Sequence, residues 1–204
     1  MVDSVEMWLY INLNTSITRK ENIENELNKV TKNFKRIEAT QDENTVLGCL
    51  KSHLKAIEFA KQNQYRNVAI LEDDFSFENL DMLETNLKNI FNFKQWDAAE
   101  LWVSERGKPY VKKISDNEKN FVVYRCFNTV GTVGYIVKNH LYDKIIKSFQ
   151  NAIETKTASD LALWSLQRNT IWITVYPYIG KHNEGISTIS KSFKKQIFGF
   201  NPNV

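Results

Sequence analysis

Cysteine is almost absent: Cys49 and Cys126 are the two thiols among 204 residues. Two thiols cannot build the disulfide framework of a small secreted domain, so both are expected free in a reduced compartment. Long apolar runs are missing as well. No stretch approaches the roughly 20 residues that a membrane-spanning helix needs. Met1 to Glu6 lack the basic-then-apolar order of a secretory signal, so a cytoplasmic chain with no membrane span is expected. An excess of one charge is also lacking. With 27 basic and 24 acidic residues the net charge is +3, too mild a balance for a nucleic-acid partner. There are 3 prolines, and no glycine-rich phosphate loop of Rossmann or Walker form. A bound nucleotide would need metal and basic side chains to neutralise its phosphates.

What is present is ordinary for a globular chain: 42% hydrophobic and 25% charged residues, at a length that fits a single domain over residues 1–204. The most informative stretch is Val68-Ala69-Ile70-Leu71-Glu72-Asp73-Asp74. Its apolar run reads as a fully buried strand, and it ends in three consecutive carboxylates. Adjacent acids repel one another. At the mouth of a sheet, where ligands of open α/β folds gather, they can instead hold a hard divalent cation. The alternative is a solvated acidic turn capping a helix after Phe75.

A first strand is expected over Met7 to Leu13. A helix follows, with a Thr18-x-x-Glu21 capping box and Ile23, Leu27, Val30 and Phe34 on its apolar side. Arg19 and Lys20 then lie in the first turn, where the macrodipole disfavours cations unless an anion such as a phosphate binds in front of them. A second strand covers Phe34 to Ala39, and Gly48 opens a helix running to about Gln62. His53 falls inside that helix's apolar arc, either as a core residue or as a donor that orients the next strand's carboxylates. Leu80 to Ile90 mark a further helix and Asp97 to Val103 a further strand. The polar stretch from Ser104 to Asn120 suits a hairpin or a flap. Strands are expected over Phe121 to Phe127 and Thr129 to Lys138, where Gly131 and Gly134 allow close approach of a backbone or ligand. Helices begin near Leu141 and Thr157, the latter with Asp160 in a variant capping box. Ile171 to Tyr176 is the last strand. The tail carries His182 and Ser187 and then turns basic through Lys191, Lys194 and Lys195.

Early β–α alternation followed by shorter strands predicts an α/β fold with a mixed central sheet flanked by helices. An acidic metal motif without a glycine-rich cradle is the chemistry of GT-A-type nucleotide-diphospho-sugar transferases. Four blocks are similar to glycosyltransferase family 25, which includes lipooligosaccharide and collagen galactosyltransferase-like proteins. They are Ile11-Asn12-Leu13 followed by Arg19, then Gly48-Cys49-x-x-Ser52-His53, Ile70-Leu71-Glu72-Asp73-Asp74, and Gly131-x-x-x-Tyr135.

The resemblance implies a metal-dependent, inverting hexosyltransferase. It would move galactose or glucose from UDP-galactose or UDP-glucose to a glycan hydroxyl or to a collagen-like hydroxylysine. Mn²⁺ or Mg²⁺ would be held by Asp74, with Asp73 and Glu72 in support. Asn12, Arg19, Ser52, His53, Glu72 and Asp73 would serve the donor and its diphosphate. The acceptor hydroxyl needs a base. Asp160 at a helix start is favoured, with Glu100 and Glu105 as rivals. His182 either completes the metal ligands or is a surface histidine. A phosphorylatable receiver domain fits poorly, since its acid pair follows the first strand of a domain of about 120 residues. An inactive sugar-nucleotide-binding domain of a longer, multidomain transferase is the remaining alternative.

Overall fold

The computed structural model describes residues 4–106, 108–118, 121–183, 185–186, 193–194, 199 and 201. Strands β1 (Met7–Asn12), β2 (Phe34–Glu38) and β3 (Asn67–Glu72) run parallel, with β1 between the other two. Parallel neighbours require crossovers, and α1 (Ile17–Asn28) and α2 (Thr45–Gln62) supply them. Side chains alternate across a strand, which divides the core into two layers. Trp8, Tyr10, Ala69 and Leu71 pack with Ile23 and Leu27 of α1. Leu9, Ile11, Val68 and Ile70 face the other way, onto Leu50 and Ile57 of α2. Both faces of β1 and β3 are therefore covered, which is why their sequences are near-continuously apolar.

The chain continues through β4 (Phe75–Phe77), α3 (Leu80–Asn92), β5 (Ala98–Glu100), β6 (Val111–Glu118), β7 (Phe121–Cys126) and β8 (Gly134–Lys138). Then come α4 (Tyr142–Thr155), α5 (Ser159–Asn169), β9 (Trp172–Tyr176) and β10 (Gly180–His182). The main sheet has the order β2-β1-β3-β8-β5-β9-β7-β6. β8 lies antiparallel between β3 and β5, so the sheet is mixed and flanked by helices, as expected. Leu83, Leu87 and Ile90 of α3 join the α1 layer. Phe149 of α4 and Leu163 of α5 join the α2 layer. With α1 on one face and α2 on the other, β1 is a topological switch point, and a crevice opens beyond the carboxyl ends of β1 and β3.

Several local expectations change. Helix α1 begins at Ile17, so Thr18 lies inside it and no Thr18–Glu21 capping box forms. Ser16 stands at the cap without a side-chain bond, and Asn12 Nδ2 instead donates to the Ser16 carbonyl at 3.1 Å. The helix ends at Asn28, leaving Val30 in a turn and Phe34 in β2. Helix α2 starts at Thr45, before Gly48, because the Asn44 side chain accepts from the amides of Val46 and Leu47. The acidic turn does not cap a helix: it leads into β4, which pairs with β10. β5 is confined to Ala98–Glu100 rather than reaching Val103.

The stretch after Ser104 forms a β6–β7 hairpin. Only the second half of the 129–138 stretch is strand. Residues 129–133 are irregular and turn into the crevice. Helix α5 begins at Ser159 behind Ala158, so Thr157 does not cap it and Asp160 has no capping-box role. Gly107, Asn120, Ser187, Lys191 and Lys195 lie outside the described residues.

Candidate active site

Beyond the ends of β1 and β3 lies a cavity of about 760 Å³. Asn12 ends β1 and Glu72 ends β3, so parallel pairing brings the two strand ends side by side. Asp73 and Asp74 form the turn that follows. The cavity is lined by Asn12, Arg19, Ser52, His53, Glu72, Asp73, Asp74, Asp160 and His182, which sequence reasoning had scattered over 170 residues. Glu100 is not among its lining residues. It is buried, with Oε1 near Thr129 Oγ1 and Gln167 Nε2 at 3.5 and 3.3 Å. Burial, reinforced by the Asp160 charge, pushes its carboxyl up to about 8. Glu105 does not line the cavity either, and Lys20 pairs with Glu24 at 3.9 Å.

The acidic turn is held from three sides. Asn12 Nδ2 donates to Asp73 Oδ2 at 2.7 Å. Arg19 contacts Asp73 Oδ1 at 2.9 Å and also Asp74 Oδ2. His182 Nε2 lies 3.3 Å from the same Asp74 oxygen. That histidine is not on the surface. β10 pairs His182 with Phe75, and the imidazole is buried and stacked on Trp102. The Asn183 amide donates to the Asp74 carbonyl at 2.8 Å, which fixes the turn further. Burial pushes the Asp73 carboxyl up to about 6, opposed by Arg19 and Asn12. Burial would raise Asp74 as well, but His182 and Arg19 outweigh it and hold that carboxyl below its usual value.

Three buried polar atoms here have no hydrogen-bond partner among the described residues: Asp74 Oδ1, His182 Nδ1 and Asn12 Oδ1. Leaving such atoms unpaired is costly, and a ligand removes that cost. Carboxylate oxygens with one imidazole nitrogen suit Mn²⁺ or Mg²⁺. Asp74, with Asp73 and His182 beside it, therefore fits the divalent cation that the sequence implied. A second group, Cys49, His53 and Glu72, also brings potential ligand atoms within 4.8 Å of one another. Two of its members already face each other as well as neighbouring side chains. His53 Nδ1 and Nε2 face the Tyr135 hydroxyl (3.1 Å) and Glu72 Oε1 (3.3 Å). Thr132 Oγ1 donates to that oxygen at 2.9 Å. Burial, then the Glu72 charge, pushes the Cys49 thiol up.

Ser52 is a brace. Its hydroxyl donates to the Gly48 carbonyl at 2.6 Å and accepts from the Thr40 amide at 2.8 Å, tying α2 to the loop after β2. Asp160 lines the cavity from the first turn of α5, and its Oδ2 accepts from the Gly131 amide at 3.3 Å. Gly131 has φ of +98°, and an added Cβ would stand 2.9 Å from Trp102. Gly134 packs likewise on Phe75, with 2.7 Å left for a Cβ. The close approaches expected at these glycines are therefore made by aromatic rings. Trp102, Thr132 and Ser159 were not foreseen. Each stands on irregular chain or at a helix start, where no periodicity singles it out.

A family model described as glycosyltransferase family 25 (LPS biosynthesis protein) matches residues 44–163, more than half of the chain. Among solved structures, A197 from STIV aligns with a TM-score of 0.53 at 12% identity, covering 93% of this chain and 94% of that one, so the two share a fold. A glycosyltransferase involved in the glycosylation of the major capsid of PBCV-1 aligns with a TM-score of 0.47 at 10% identity, over 72% of this chain and 66% of that one. The apo-form glycosyltransferase GlyE in Streptococcus pneumoniae TIGR4 gives 0.47 at 10% identity, over 83% and 45%. No curated protein matches the chain.

Proposed function

The chain belongs to glycosyltransferase family 25, and on that premise we propose that it transfers a hexose, galactose or glucose, from a UDP-sugar to a glycan hydroxyl with inversion. One observation carries the reading: Asp73, Asp74, His182 and Asp160 line a single cavity large enough for a sugar nucleotide. The family description names LPS biosynthesis, which favours a glycan hydroxyl over hydroxylysine as acceptor. Among the described residues no helix is long and apolar enough to cross a membrane.

Different lining residues carry different parts of the chemistry. Asp74, with Asp73 and His182 beside it, would hold a divalent cation, which would supply Lewis-acid stabilisation to the departing diphosphate. Arg19, on the first turn of α1, adds a cation beside the same acids. Asp160 accepts the proton of the acceptor hydroxyl as its oxygen bonds to the anomeric carbon. The bond from that carbon to the diphosphate oxygen breaks on the opposite face, and UDP leaves with the electron pair. Glu72 does not touch the reacting atoms in this scheme. Held by His53 and Thr132, it fixes the end of β3 from which the two aspartates project.

The test is UDP binding and UDP release with UDP-galactose, UDP-glucose and UDP-N-acetylglucosamine, with and without Mn²⁺, in the parent protein and Asp74→Asn. The expected result is metal-dependent UDP binding and hexosyl turnover, both lost in Asp74→Asn. UDP binding that is indifferent to Mn²⁺ and to Asp74 overturns the assignment. Metal-dependent binding without turnover on any glycan acceptor would identify an inactive donor-binding domain instead.

A further inference from the structure

Arg19 occupies the place where a metal ion would be held. Its guanidinium contacts Asp73 Oδ1 at 2.9 Å and Asp74 Oδ2 as well, while its side chain stays about one quarter exposed to the cavity. The position is unfavourable for a cation on local grounds, because it lies at the positive end of α1. The two carboxylates are what hold it there. Lys20, one residue on, has no such role, since it turns to Glu24. Asp74 has one oxygen shared between Arg19 and His182 and the other buried without a partner among the described residues.

We propose that Arg19 is an internal stand-in cation, which holds the two aspartates in the free protein and moves to the donor's diphosphate when divalent metal takes its place. The inference builds on the metal and donor reading above. A dication and a guanidinium cannot share the same pair of carboxylates without strong mutual repulsion in a partly buried site. For metal to bind, Arg19 must leave Asp73 and Asp74, and it then needs another anion. The diphosphate supplies one within the same cavity, and a guanidinium pairs with phosphate oxygens in a two-pronged geometry. Metal alone must displace Arg19 into water. Metal arriving with a nucleoside diphosphate displaces it onto a partner. The two ligands therefore bind as a coupled pair, and coupling of this kind is reciprocal. The site keeps its acids neutralised while empty and takes up metal chiefly as part of the donor complex.

The experiment measures Mn²⁺ binding itself, by calorimetry or by the spin-resonance signal of free Mn²⁺, without any acceptor or turnover. Parent, Arg19→Gln, Arg19→Lys and Asp74→Asn proteins are compared with and without UDP, and a melting curve confirms that each is folded. Arg19→Gln should bind Mn²⁺ alone at least about tenfold more tightly than the parent, within the usual range of coupling between sites. Its gain on adding UDP should be correspondingly smaller. Arg19→Lys keeps the charge and should stay near the parent for Mn²⁺ alone. If Arg19→Gln binds Mn²⁺ alone no better than the parent while Asp74→Asn loses it, the stand-in role is wrong and the metal site survives. If Asp74→Asn binds Mn²⁺ like the parent, the metal assignment fails, and the inference with it.

Discussion

His53 Nε2 lies 3.3 Å from Glu72 Oε1, and the opposite nitrogen of the same buried ring lies 3.1 Å from the Tyr135 hydroxyl. One imidazole thus joins α2, β3 and β8 directly beneath the acidic turn. His53→Ala should weaken metal-dependent UDP binding about 10- to 100-fold, the usual effect of removing a residue that orients a metal motif. Tyr135→Phe, which removes the far end of the link, should do less. Titration calorimetry with Mn²⁺ and UDP measures both. If His53→Ala binds like the parent, the ring is packing and nothing more.

Gly131 serves two ends at once. Its φ of +98° suits glycine, and its amide donates to Asp160. Gly131→Ala should lose about 1–3 kcal/mol of stability from backbone strain alone, with more from the clash with Trp102. Because Asp160 is displaced too, turnover should fall further than the melting temperature predicts, with UDP binding retained. A variant that melts lower but turns over normally would separate Gly131 from the proton-accepting wall.

The first half of the fold was legible because its elements are local. β1 and β3 bury both faces, so their apolar runs announce themselves, and the three acids follow at once. His53 stood open in the sequence between a core residue and a donor to the next strand's carboxylates, and the structure shows it both buried and 3.3 Å from Glu72. What stayed hidden depends on pairings between distant segments. His182 reaches Asp74 because β10 pairs with β4 across more than 100 residues, and nothing in the tail sequence encodes that partner. Glu100 looked available for catalysis because it belongs to the segment that follows the metal motif. Its side chain is covered by Thr129 and by Gln167 of α5, which only tertiary packing could reveal. The Thr18 and Thr157 caps failed for a local reason: each helix begins one or two residues away from where the motif would place it.

That covering of Glu100 has a pH consequence. Its carboxyl rises to about 8 in the folded chain through burial and the Asp160 charge, against an ordinary value near 4.3 when unfolded. Between those values the folded chain binds the extra proton, so stability is fullest at or below about pH 4 and falls as pH climbs toward 8. Glu100→Gln removes the titrating group and keeps Oε1 as an acceptor. The variant should match the parent near pH 4.5 and exceed it at pH 8 by on the order of a few kcal/mol. Melting temperatures at the two pH values check this. An equal gap at both would show that the carboxyl is already ionised in the fold.

Asp160 lines the same cavity as the acidic turn, and Arg19 contacts Asp73 and Asp74 there. It lies in the first turn of α5, and the Gly131 amide holds one of its oxygens. A carboxylate held in one orientation is suited to taking a proton from a hydroxyl. Asp160→Asn keeps size and hydrogen bonding but cannot take a proton. It should bind UDP and Mn²⁺ as the parent does while losing about 10²- to 10⁴-fold in turnover. Parallel binding and turnover measurements on the same protein decide it. A variant that keeps most of its turnover would move the base elsewhere, and loss of UDP binding would make Asp160 a donor ligand.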